Sequence, residues 1–246
     1  MKRDFNHLIL RPIAHIETEF PEKFGIPRQS GILDGLESTI RFEKEFAKDG
    51  ILKEIELFSH LILIWGFSEE TEDKWSPTIR PPKLGGNKTV GVFASRSPNR
   101  PNPLGFSVVR LISVDCGKGF PTLTVSGADM VNGTPIYDIK PYLSYSDSHP
   151  EARLGYACPP DNIFLDVEIP EELSCQIPPS TLELIRKTLS QDPRPGYKKE
   201  GTFFFECFSY HIGFTVDGNK LRVIEMEKQN LDKNHKTVSP KKTSEK

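Results

Sequence analysis

Apolar and polar positions alternate along much of the first 145 residues, and the alternation predicts strands rather than helices. HLILRPIAHIET (residues 7–18) is rich in β-favouring residues and predicts a first strand. The next 24 residues, EFPEKFGIPRQSGILDGLESTIRF, carry Pro and Gly throughout and read as a long loop. LKEIELFSHLILIWGFS predicts a strand with a preceding turn, and WSPTIRPPKLGGN a loop. TVGVFAS and GFSVVRLISVD read as strands on either side of RSPNRPNP. GFPTLTVSGADMVNGTPIYDIKPYL gives a strand, a tight NGTP turn and a further strand. Many short strands with few helix signals favour a closed β-barrel over a βαβ sheet.

The pattern changes after SDSHPEARLGYACPPD. IPPSTLELIRKTLSQDPRPGY holds the clearest helix, with Leu182, Ile185 and Leu189 at helical spacing, Ser180 or Thr181 as its cap, and Pro193 and Pro195 as its stop. GTFFFECFSYHIGFTVDGNKLRVIEME predicts two or three strands with a VDGN hairpin turn. The fold expected is mainly β: a barrel over residues 1–148, then a small α+β domain over 149–228. The Lys-rich tail 229–246 lacks periodicity and is expected to be disordered.

Composition changes this picture little. Hydrophobic residues make up 36% and charged residues 27% of 246, and the formal net charge is −2. That charge gives no global attraction to nucleic acid, so an RNA surface would have to be a local basic patch. The greasiest run, LFSHLILIWGF, is too short to span a bilayer and reads as a buried strand, with His60 as a satisfied core histidine. The first residues show no secretory signal pattern, and a cytoplasmic protein with no membrane association is expected. Cys116, Cys158, Cys175 and Cys207 are far apart and form no CxxC pair, so reduced thiols are expected and no metal site. Neither GxGxxG nor GxxxxGK[ST] is present, which removes the usual glycine-loop routes to a nucleotide.

The candidate chemistry lies in the loops. In SRSPNRPNPLG, three prolines stiffen the backbone and Arg96 and Arg100 stand four apart, so that in an extended segment both guanidiniums face one side. Paired forks suit a carboxylate or phosphate, and Asn99 and Asn102 add amide donors and acceptors. The plain alternative is a rigid turn whose arginines pair with acidic neighbours. Asp138, Lys140 and Tyr142 recur at period two, where a structural ion pair is the ordinary outcome. DPRPGYKK (residues 192–199) mixes Pro, Arg, an aromatic and two lysines, as suits base stacking and phosphate contacts, or else a solvated helix stop.

In order along the chain, KFGIPRQ, FSHLILIWGF, RPPKLGGN, GVFASRSPNRPNPLGFSVV, DMVNGTPIYDIKPYL and DPRPGY resemble the TsaA/TrmO family, from about His7 to about Tyr210. The resemblance implies an S-adenosylmethionine-dependent tRNA adenine methyltransferase on a β-barrel, in its bacterial two-domain form. It implies a homodimer with cofactor sites near the subunit interface. The acceptor it implies is the N6 amine of threonylcarbamoyl-adenosine at position 37, in the anticodon loop. By motif, Pro27, Arg28, Gln29, Ser68, Glu69, Arg96, Phe106, Asn132, Gly133, Thr134 and Pro135 would contact the cofactor. Arg100 and Asn102 could serve cofactor or substrate. Arg194, Lys198 and Lys199 are the candidates for RNA phosphates, and Tyr197 for stacking. Asp138, Asp192 or the Tyr197 hydroxyl could take the proton. Ser95, Leu104 and Asn132 stand where the family commonly has Thr, Ile and Asp. Two other readings compete: a barrel that binds RNA or a nucleotide without catalysis, and a hydrolase using Asp, His and Cys.

Overall fold

The computed structural model describes residues 8–33, 35–69, 75–81, 84, 88–117, 119–157, 164–194 and 200–229. Twelve strands alternate with short helices among them: β1 (Ala14–Glu17), β2 (Glu37–Phe42), β3 (His60–Gly66), β4 (Thr78–Ile79), β5 (Val90–Gly91), β6 (Leu104–Asp115), β7 (Thr122–Ser126), β8 (Thr134–Pro141), α1 (Ser144–Asp147), β9 (Asp166–Glu168), α2 (Glu171–Ser174), α3 (Pro179–Ser190), β10 (Thr202–Cys207), β11 (Tyr210–Asp217) and β12 (Lys220–Lys228). Six of these strands close into a barrel in the order β1-β2-β7-β6-β3-β8, with β8 pairing back onto β1. Closure leaves no unpaired edge, which is the physical gain of a barrel over an open sheet. The barrel the strand pattern predicts is therefore present.

Several elements differ from the expectation. The first strand is four residues, not twelve: Leu8, Ile9 and Leu10 are exposed outside it, and Pro12, which has no N–H to give a ladder, precedes it. β2 lies in the stretch read as loop. Its alternation is clear in the structure, with Ser38, Ile40 and Phe42 inward, but charged Glu37 and Arg41 mask it in the sequence. TVGVFAS keeps only the two residues of β5 before Val92–Ala94 coil into a 3-10 turn. His60 is half-exposed on the outer face of β3, where Ser59 Oγ lies 2.9 Å from its Nδ1; the inward side chains are Leu61, Leu63 and Trp65. The period of two decides this, because a residue preceding an inward leucine must face out.

The barrel core is built from Ile16, Ile40, Leu63, Trp65, Leu123 and Ile136, among others. One contact fixes the start of β6. Trp65 pairs with Gly105, and a Cβ on Gly105 would meet the indole at 2.2 Å. The missing side chain lets the ring lie flat on the strand, where Trp65 Nε1 donates to Ser107 Oγ at 2.9 Å. The proline-rich loop enters β6 directly, so this wedge sets where the loop lands.

The second sheet runs β10-β11-β12-β9, with β9 parallel to β12, a strand the sequence pattern does not reveal. α3 packs its Ile185 and Leu189 into this sheet's core. Neither Ser180 nor Thr181 caps α3. Pro178 is the cap residue and Pro179 opens the helix, because a fixed φ and a missing N–H are harmless at the first helical position. Gly218 (φ 57) supplies the left-handed residue of the β11–β12 turn, as VDGN predicts. Phe20, Leu33 and Leu36, from the loop after β1, are buried in the same core as Phe205 and Phe214. Burying one such side chain is worth roughly 1.5–3 kcal/mol, so the N-terminal loop is firmly held against the C-terminal sheet. This seam brings Pro27–Gln29 to the turn after α3.

Among the described residues, Cys116, Cys175 and Cys207 are free thiols, and Cys207 is buried with its ionisation pushed far up by desolvation. No helix among them is long and apolar enough to cross a membrane, and no group of His, Cys, Asp and Glu suits a metal ion.

Candidate functional site

The loop from Ser95 to Pro103 is held by its own short side chains. Ser95 Oγ donates to the Val92 carbonyl at 2.7 Å and accepts from the Ser97 amide at 3.3 Å; Ser97 Oγ in turn accepts from the Asn99 amide at 3.3 Å. Arg100 turns its Nη2 inward to the carbonyls of Ser95 (3.3 Å) and Val92 (3.5 Å). The two guanidiniums therefore do not face one side as an extended segment would require. The loop coils, Arg100 braces it, and Arg96 alone reaches outward.

Arg96 Nη1 donates to Gln29 Oε1. Gln29 Nε2 donates to the Arg28 carbonyl at 2.5 Å, and Arg28 Nη2 to the main-chain oxygen of Asp192 at 2.8 Å. Asp192, in the left-handed region at φ 52, grips Arg194 through two parallel bonds: Nε to Oδ1 at 2.7 Å and Nη2 to Oδ2 at 2.9 Å. That carboxylate holds the Arg194 guanidinium even more firmly protonated than usual. A polar chain thus runs from the proline-rich loop through Gln29 and Arg28 to the turn after α3. Pro27, buried beneath it, anchors the loop.

A cavity of ≈ 890 Å³ opens beside this chain, lined by Arg28, Gln29, Arg80, Phe93, Arg96 and Tyr156, together with Ser95 and Pro98. Its described lining carries three guanidiniums and no carboxylate. Tyr156 donates its hydroxyl to the Ala94 carbonyl at 2.8 Å and so pins one wall. A second cavity of ≈ 330 Å³ lies between Lys23, Arg28, Gln191 and Asp192. A third, of ≈ 260 Å³, is lined by Ser68, Asn102, Leu104, Pro135 and Tyr137.

The other candidates are distributed as follows. Glu69 lies 3.8 Å from Lys23 Nζ. Phe106 stands 52% exposed on the outer face of β6, opposite Ile64. In the turn before β8, Asn132 Oδ1 accepts from the Thr18 amide at 3.0 Å, the Gly133 amide donates to the Ile16 carbonyl at 2.8 Å, and Thr134 is buried. An acceptor is what this geometry needs at 132, and an amide oxygen supplies it. Asp138 forms an ion pair with Lys140 at 2.6 Å. Tyr197, Lys198 and Lys199 lie outside the described residues. The structure gathers Arg28, Gln29, Arg96, Asp192 and Arg194, and sets Ser68, Asn102 and Pro135 around a different cavity.

Three residues were not singled out as site residues from the sequence: Arg80 and Tyr156 in the cavity wall, and Asp129, which bonds Ser107 of β6. Asp129 Oδ1 accepts from Ser107 Oγ at 2.5 Å. Burial pushes this carboxyl above its ordinary range, against the pull of the Ser107 hydroxyl, main-chain amides including that of Ser30, and the Arg96 charge. Asp129 opens the stretch DMVNGTPIYDIKPYL, but its place in that stretch does not say what it faces; the fold brings Ser107 to it.

A six-stranded barrel with an arginine-bearing proline loop, joined through its N-terminal loop to a strand-rich module, has close counterparts among solved structures. A crystal structure of TrmO aligns over 89% of this chain and 99% of its own, at 30% identity and a TM-score of 0.71. One of TrmO from Pseudomonas aeruginosa aligns over 92% and 100%, at 29% identity and a TM-score of 0.72. Residues 15–148 match the family described as tRNA-methyltransferase O N-terminal domain, and residues 165–229 match the TrmO C-terminal domain. The chain belongs to the TrmO family. It is 39% identical over 194 residues, 76% of its length, to the Escherichia coli tRNA (adenine(37)-N6)-methyltransferase, covering 82% of that protein. It is 41% identical over 196 residues to a putative S-adenosylmethionine-dependent methyltransferase of Pseudomonas aeruginosa, covering 76% of this chain and 82% of that protein.

Proposed function

We propose that this protein is a methyltransferase that carries a methyl group from S-adenosylmethionine to N6 of adenosine 37 in the tRNA anticodon loop, with threonylcarbamoyl-adenosine as the acceptor. In a member of this family, the observation that carries the reading is the cavity where Arg28 and Arg96 converge with no carboxylate in the described lining. When bound, the cofactor supplies an electrophilic methyl group on a sulfonium.

The residues present fit such a ligand. Its carboxylate matches the Arg28 and Arg96 forks, and its adenine matches the Gln29 amide and the apolar walls from Ile79, Phe93 and Leu154. Serving both, the relay Arg96–Gln29–Arg28–Asp192 fixes these donors before anything binds, so little ordering entropy remains to be lost. Chemistry of this type asks mainly for alignment of an amine lone pair, which rigid positioning supplies.

Ser68, Glu69, Phe106 and Asn132–Pro135 complete the cofactor set in this reading. Ser68 and Pro135 line a different cavity from Arg28 and Arg96 on one chain. We therefore read the active form as a homodimer, in which the outer face bearing Phe106 and Ile64 meets the second copy. Arg194, held by Asp192, with Lys198 and Lys199, takes the RNA backbone, while Arg100 holds the proline loop and Asn102 lines the smaller cavity beside Ser68 and Pro135. For the N6 proton, Asp138 and Asp192 are each already engaged by a cation, so the Tyr197 hydroxyl is the acceptor to test first. A tRNA substrate is in keeping with a cytoplasmic protein. Calorimetric titration with S-adenosylhomocysteine tests the site: saturable binding with a rise in melting temperature is expected, and no binding at saturating ligand would favour a non-catalytic RNA-binding barrel.

A further inference from the structure

The cavity of ≈ 330 Å³ shares Arg28 with the larger, arginine-lined one, and the cofactor does not need it. Both of its walls are fixed. On one side the loop from Lys23 to Ile26 lies on the C-terminal core. Gly25 (φ 89) has no room for a side chain, since a Cβ there would meet the Phe205 ring at 2.3 Å, and Phe24 packs edge-on to the same ring at 5.9 Å between centroids. On the other side α3 ends. The carbonyls of Thr188, Leu189 and Ser190 are taken by the main-chain amides of Gln191, Asp192 and Leu165. Asp192 then accepts Arg28 Nη2 on its main-chain oxygen at 2.8 Å, which bolts the two walls together.

The lining is rich in donors. Lys23, Arg28 and Gln191 bring nitrogen, while Phe24, Ile26 and Pro193 bring apolar surface. Asp192 is the only carboxylate in the described lining, and both of its oxygens are bonded to Arg194. The side-chain amide nitrogen of Gln191 is shut off from solvent and has no hydrogen-bond partner. A buried donor left in that state costs free energy, which an acceptor brought into the cavity would return. The last torsion of a glutamine is soft, so the amide turns to such an acceptor at little cost.

We propose that this cavity seats the threonylcarbamoyl group of the acceptor nucleoside, with Gln191 and Lys23 as specificity-determining residues. The inference rests on the acceptor named above. That group carries a carboxylate and a carbonyl on a short chain that ends in a methyl. The Lys23 ammonium and the free N–H groups of Arg28 suit the carboxylate, the Gln191 amide suits the carbonyl, and Phe24, Ile26 and Pro193 suit the methyl. The cavity has the volume for such a fragment. Its place suits the reaction as well. N6 must meet the methyl donor in the larger cavity while its substituent lies a few bonds away, and Arg28 is the described residue common to both linings. Plain adenosine would leave the Gln191 donor unpaired, so the site favours the modified base.

The test measures the affinity of the full-length protein, saturated with S-adenosylhomocysteine, for two tRNAs. One bears threonylcarbamoyl-adenosine at position 37 and the other plain adenosine. Wild type is expected to bind the modified tRNA about tenfold more tightly. Gln191→Ala and Lys23→Ala should each narrow that preference to about threefold or less, with affinity for the plain tRNA and for S-adenosylhomocysteine kept. The Lys23 side chain is 53% exposed and pairs with Glu69 at 3.8 Å, so its removal leaves the fold intact. A residue that served only to end α3 would lower the melting temperature and weaken both tRNAs alike. Equal binding of the two tRNAs by wild type, an unchanged preference in either variant, or equal weakening toward both tRNAs would overturn the inference and leave the cofactor reading standing. Absence of S-adenosylhomocysteine binding by wild type would overturn the cofactor reading, and this inference with it.

Discussion

Arg28 and Asp192 are 164 positions apart in the chain, yet the guanidinium of one donates to the main-chain oxygen of the other at 2.8 Å. The bond joins the loop after β1 to the turn after α3, and Arg28 lines a cavity on each side of it. Arg28→Ala should therefore cost little stability, about 0.5–1.5 kcal/mol for an exposed bond, and much more in function. We expect a small drop in melting temperature, with S-adenosylhomocysteine affinity reduced about tenfold or more. Wild-type affinity in this variant would remove Arg28 from the site.

Arg96 and Arg100 should separate in their effects. Arg96 reaches Gln29 across the cavity, and Arg96→Ala should lower cofactor affinity and methylation together. Arg100 braces its own loop through the Ser95 and Val92 carbonyls. Arg100→Ala should loosen that loop, raising its rate of amide exchange, while leaving cofactor affinity within about threefold of wild type, since no direct cofactor contact is lost. Equal losses of affinity in the two variants would contradict the division of labour.

Gly105 has no room for a side chain because the Trp65 indole occupies it, held by Ser107 and by the Phe67 ring at 4.5 Å. Gly105→Ala should destabilise the protein by about 1–3 kcal/mol in urea denaturation. Gly119→Ala, which meets nothing within 4 Å, is the control and should be neutral. A neutral Gly105→Ala would show that the indole does not lie on the strand.

Lys198 and Lys199 follow the turn that Asp192 and Arg194 close. The double variant Lys198→Ala, Lys199→Ala should weaken tRNA binding and flatten its dependence on salt by roughly two phosphate contacts, with cofactor affinity unchanged. An unaltered salt slope would take these lysines out of the RNA surface.

The barrel was legible because most wall strands show a period of two, as in β3 with Leu61, Leu63 and Trp65 inward. β2 and β9 were not: charged Glu37 and Arg41 hide one, and the other is three residues long and gains its meaning only by lying beside β12. At the site, the proline-rich loop announced itself by composition. Its conformation did not follow, because serine side chains coil it and send Arg100 inward. Arg28, Asp192 and Arg194 were readable as separate motifs, but their contact depends on Phe20, Leu33 and Leu36 entering the second core, a long-range packing event with no local signal. Asp129 stood at the head of a legible motif, yet its partner Ser107 lies on β6 and reaches it only in the fold.

The most direct test of the central claim is nucleoside mass spectrometry of tRNA carrying threonylcarbamoyl-adenosine at position 37, after incubation with the purified protein and S-adenosylmethionine. The account predicts one added methyl group on that nucleoside, located on N6, and its loss in Arg96→Ala. A wild-type protein that binds both ligands yet leaves the nucleoside unmodified would contradict it.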